Sequence, residues 1–73
     1  MNDDNFFAAY RATIEERLRV QIARHRSIDP GASTQRIKDM QLAQEIERIE
    51  GGVVDPELRD GLVAWVRDLF RRL

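Results

Sequence analysis

Two Asp-Pro dipeptides, Asp29-Pro30 and Asp55-Pro56, constrain this chain more than any other feature. Proline drives the residue before it out of the α conformation, so each dipeptide interrupts a helix. Each also suits the start of the next helix, with aspartate as N-cap and proline in the first helical position. Gly51-Gly52 adds a C-terminal stop just ahead of the second break. The chain is thereby cut into pieces at roughly 5–27, 32–50 and 56–72. None of them alternates with the period of a strand, and β-branched residues do not cluster beyond Val53-Val54.

Helical spacing organises the first and third pieces. Phe7, Tyr10, Ile14, Leu18 and Ile22 recur at steps of three or four, and Gln21 and His25 extend that stripe with polar groups. Phe6 and Phe7 diverge by about a quarter turn, so both cannot enter one seam. In the third piece Leu58, Leu62, Trp65, Val66, Leu69, Phe70 and Leu73 form a broad apolar arc opposite Asp60, Arg67, Asp68 and Arg71. Glu57 at its start and Arg71-Arg72 at its end complement the helix dipole. The middle piece is split. Leu42, Ile46 and Ile49 share a face with Ala43 at its edge, while Ile37 and Met40 point elsewhere. The expected fold is all-α and a single domain over 1–73. It is either a three-helix bundle or an extended helical hairpin with a third packing helix.

Length and composition now limit the function. A core drawn from 73 residues supplies roughly 3–5 kcal/mol without a staple. There is no cysteine and His25 is the only histidine, which removes disulfides and the common zinc arrangements. Stability must then come from helix packing or from a second chain. Charged residues make up 34% of the chain and nearly cancel, at a formal −1, so no net field draws it to nucleic acid or an acidic membrane. No apolar run approaches the roughly 20 residues of a bilayer span, and the segment Met1-Asn2-Asp3-Asp4-Asn5 is the opposite of a secretory signal. A cytoplasmic protein is expected.

Catalytic patterns are missing from the sequence. His25 beside Ser27, Ser33, Thr34 or Thr13 is not framed by any nucleophile motif. The carboxylate groups Asp3-Asp4, Glu15-Glu16 and Glu45/Glu47/Glu50 read as solvated, with Glu15 and Arg19 as a surface i, i+4 pair. The four glycines lack phosphate-cradling spacing, so no cofactor, metal, small-molecule substrate or enzymatic activity is expected. The apolar arcs exceed what three short helices can cover. That excess points to a protein-protein interaction module binding itself, as a homodimer or larger, or another protein. The contact residues expected are Leu42, Ile46, Ile49, Leu62, Trp65, Leu69 and Phe70. Gly61, beside Leu58 and Trp65, is either a place for close backbone approach or a tolerated helical glycine. The alternative is a small DNA-binding regulator using Arg11, Arg17, Arg19, Arg24 and Arg26 of the first helix.

Overall fold

A computed structural model describes the backbone from residue 2 to 73 and the side chains from residue 5 onward. The Asp3-Asp4 carboxylates and most of the polar N-terminal stretch lie outside the described side chains. The fold is all-α: α1 (Asn2–Ile28), α2 (Thr34–Gly52) and α3 (Pro56–Arg72), with no strand among the described residues. The chain divides into two compact units, residues 1–37 and 38–73, and the boundary falls within α2.

In the first unit α1 buries Ile14 and Leu18, and the opening turn of α2 buries Ile37. Phe7, Tyr10, Gln21, Ile22 and His25 are half-buried, so the covered face of α1 is the stripe its spacing predicts. Phe6 is exposed, with its ring edge-on to Phe7 at 5.2 Å and tilted against Tyr10 at 5.8 Å. The turn after α1 corrects the expected start of the second helix. Asp29 does not cap it. Its carboxylate accepts from the Gly31 N–H (3.0 Å) and its carbonyl from the Ala32 N–H (3.0 Å), which builds a tight turn instead. The capping role passes to Ser33, whose hydroxyl accepts from the Arg36 N–H at 3.3 Å, and α2 begins at Thr34 rather than at 32. The Arg26 guanidinium donates to the Thr34 hydroxyl and ties the end of α1 to the start of α2.

The second unit is an αα-hairpin. Only Val53, Val54 and Asp55 link its helices, and a connection that short returns the chain antiparallel. Asp55 is extended (φ −69°, ψ 117°) and its carboxylate accepts from the Glu57 N–H at 3.0 Å, with Pro56 opening the helix as expected. At the far end the Lys38 ammonium donates to the Leu73 carbonyl and closes the hairpin. Leu62, Val66, Leu69 and Phe70 are buried on α3. Leu58, counted with that arc in the sequence, is exposed at 54%, because it lies in the first turn beside the open link. Gly51 and Gly52 also differ from expectation. Both lie inside α2, and no described glycine has positive φ, so the helix stops because Asp55 must be extended before Pro56 rather than through a left-handed glycine.

The largest correction concerns the inner face of α2. Its buried row is Ile37, Gln41, Glu45 and Ile49, at steps of four, while Leu42 and Ile46 are only half-buried and Met40 is exposed. Glu45, expected in solvent, is 0% exposed. It accepts from the Gln41 amide nitrogen at 2.6 Å, whereas the Gln41 Oε1 is buried without a partner.

Core truncation tests these assignments. Ile14→Ala in the first unit and Leu69→Ala in the second should each cost about 2–5 kcal/mol, enough to abolish most of the helical circular dichroism at room temperature. Leu58→Ala should leave the melting temperature nearly unchanged. Glu45→Leu strips Gln41 of its acceptor and should destabilise by about 1–3 kcal/mol by urea denaturation.

Candidate protein-binding groove

Half-burial of Leu42 and Ile46 is the origin of the site. They lie on the flank of α2 adjoining its buried row, and together with Ala43 they floor an open groove of about 410 Å³ within the second unit. Asp39, Glu47 and Glu50 rim it from the same helix, and Arg67 of α3 lies opposite. Helical spacing produces this arrangement. Positions 39, 43, 46 and 50 follow one another at three and four residues, with 47 four beyond 43, so apolar and acidic side chains run side by side. Glu47, Glu50 and Arg67 are exposed, and no ion pair joins them among the described residues. One guanidinium and three carboxylates line the groove.

The seven contact residues expected from the sequence separate into two groups. Ile49, Leu62, Leu69 and Phe70 are buried within the chain. A partner could reach them only by disturbing the packing that buries them. Leu42 and Ile46 lie in the groove, and Trp65 is half-buried on α3 away from it. Asp39, Ala43, Glu47, Glu50 and Arg67 were not among the expected contacts. Their signal in the sequence is an acidic row alternating with small and branched apolar residues along one flank of α2. Gly61 is exposed, and a Cβ built there meets nothing within 4 Å, so no segment of the chain approaches it closely.

The arginines of α1 do not form one stripe. By helical spacing Arg11, Arg19 and Arg26 follow one flank, and Arg17 and Arg24 the other. Arg11 pairs with Glu15 at 2.6 Å and Arg19 with Glu16 at 2.6 Å, which replaces the expected Glu15–Arg19 pairing. Arg17 is half-buried, while Arg24 and Arg26 are exposed. A backbone-tracking surface needs its cations gathered on one side, and these straddle the helix. The Ser27 hydroxyl, one possible neighbour for His25 chemistry, donates to the Arg24 carbonyl at 2.8 Å. Among the described residues no cluster of three or more His, Cys, Asp or Glu could hold a metal, and no helix is long and apolar enough to cross a membrane.

No protein family, curated protein or solved structure matches this chain. The groove's own chemistry carries the functional reading.

Because Glu47 and Glu50 are exposed and outside any ion pair among the described residues, Glu47→Gln with Glu50→Gln should leave helix content essentially unchanged by circular dichroism.

Proposed function

We propose that this protein is a non-enzymatic, cytoplasmic helical interaction module that self-associates through the α2 groove. The observation carrying this reading is the half-exposed apolar floor of Leu42, Ala43 and Ile46, framed by the charged side chains of Glu47, Glu50 and Arg67, which are outside any ion pair among the described residues. An apolar centre with a charged rim is the ordinary anatomy of a protein interface. Its scale suits one helix face, since the floor is three residues long rather than a broad sheet of apolar surface. The small core adds a thermodynamic motive. Each large apolar side chain that an associating partner fully covers contributes roughly 1.5–3 kcal/mol, comparable to a large part of what 73 residues supply alone. A closed pair is the commonest solution for like chains.

Ala43 offers the cleanest test because it is exposed and its replacement leaves the core intact. The parent chain should sediment at equilibrium as a dimer or larger species in the micromolar range, and its melting temperature should rise with concentration. Ala43→Glu should keep the helical spectrum and sediment as a monomer. A parent that is monomeric, and whose melting ignores dilution, ends the self-association reading. A salt-sensitive DNA mobility shift, lost on Arg17→Ala with Arg24→Ala, would replace it with nucleic-acid binding.

A further inference from the structure

Building on self-association through this groove, we infer that its occupant is the outer face of α1 from a second copy of the chain, held by arginines against the acidic rim. The groove asks for a helix that is smooth and weakly apolar along one strip, with cations beside it. Charge decides against a neutral or acidic occupant, because Glu47 and Glu50 alone outnumber Arg67 and like charges brought together are strongly unfavourable.

The outer face of α1 has that chemistry. Ala9, Ala12, Thr13, Val20 and Ala23 are exposed along one side of the helix. The Thr13 hydroxyl donates to the Ala9 carbonyl at 3.0 Å, which satisfies the donor that a dry contact would otherwise strand. Arg19 borders the strip on one side and Arg24 on the other, and both are exposed. Glu16 is the only carboxylate within the strip, and its partner Arg19 at 2.6 Å already neutralises it. Lengths also agree. The groove runs from Asp39 to Glu50, about 16 Å of helix, and the strip from Ala9 to Ala23 covers about 21 Å. Arg24 is outside any ion pair among the described residues and Arg19 pairs with Glu16 alone, so the strip carries a net positive charge to Glu47 and Glu50. In a two-fold pair each copy gives its α1 and receives the other's, so both grooves are filled.

Complementary charge reversal distinguishes this occupant from any other. One variant carries Glu47→Arg with Glu50→Arg, and the second carries Arg19→Glu with Arg24→Glu. Each alone sets like charges together, and should self-associate at least about tenfold more weakly than the parent by sedimentation equilibrium. Mixed in equal amounts they should recover a heterodimer, because the reversed groove of one then meets the reversed helix of the other. Raising salt should weaken the parent and the mixed pair alike. Circular dichroism confirms that each variant is folded. Should either reversal unfold the chain, Glu47→Gln with Glu50→Gln and Arg19→Gln with Arg24→Gln take its place, each expected to weaken association and to lose its salt dependence. If the parent associates but the Arg19/Arg24 reversal has no effect, or the mixture stays monomeric, α1 is not the occupant and self-association itself stands. A monomeric parent overturns both.

Discussion

Three residues, Val53 to Asp55, are all the chain allows between α2 and α3, and much of the second unit follows from that brevity. A link so short cannot carry the chain across to a distant position, so α3 must run back along α2. Asp55 makes the reversal sharp. Extended before Pro56, it ends one helix through its backbone and begins the next through its carboxylate. Antiparallel return then brings Leu73 to Lys38 and sets Arg67 across from the flank of α2. The groove exists because two helices joined this tightly leave one flank of α2 only partly covered.

The inner row of α2 shows a second constraint at work. Leucine or isoleucine at 41 and 45 would have given a uniformly apolar face, yet Gln41 and Glu45 stand there, nearly removed from solvent. Their mutual hydrogen bond reduces the cost of burial, while Gln41 Oε1 is left without one. Because the partners stand four residues apart on the same helix, the bond forms within α2 itself and needs no neighbouring helix. Burying such a row, with Gln41 Oε1 left without a partner, comes at the expense of stability.

The elements were legible in the sequence because their signals are local. Asp55, Pro56 and the four-residue rhythm of Ile14, Leu18 and Ile22 act within a turn or two, so the three helices and the covered face of α1 could be read from spacing. The face of α2 was not legible. Hydrophobicity favoured Leu42, Ile46 and Ile49, whereas the buried row runs through Gln41 and Glu45 and includes only Ile49 of those three. Polar residues in a core depend on specific partners, and partners are set by tertiary placement rather than by residue type. The same limit affected the turn at Asp29, where two chemically valid uses of one aspartate compete and Ser33, a few residues on, decides between them. For the candidate site, Leu42 and Ile46 were within reach of pattern reading; the acidic rim was not, because exposed carboxylates on a helix usually have no function.

Gly51, Gly52 and Gly61 lie within helices, have ordinary backbone angles, and look out on open space. Alanine at such positions typically adds about 0.4–1 kcal/mol by restricting the unfolded chain. The fold thus has reserve that its sequence does not draw on. A lineage carrying this chain could accept a destabilising change elsewhere and recover by a single-residue step at any of the three, without disturbing one buried contact. Exposed glycines set in regular helix are, in this sense, room for evolutionary drift.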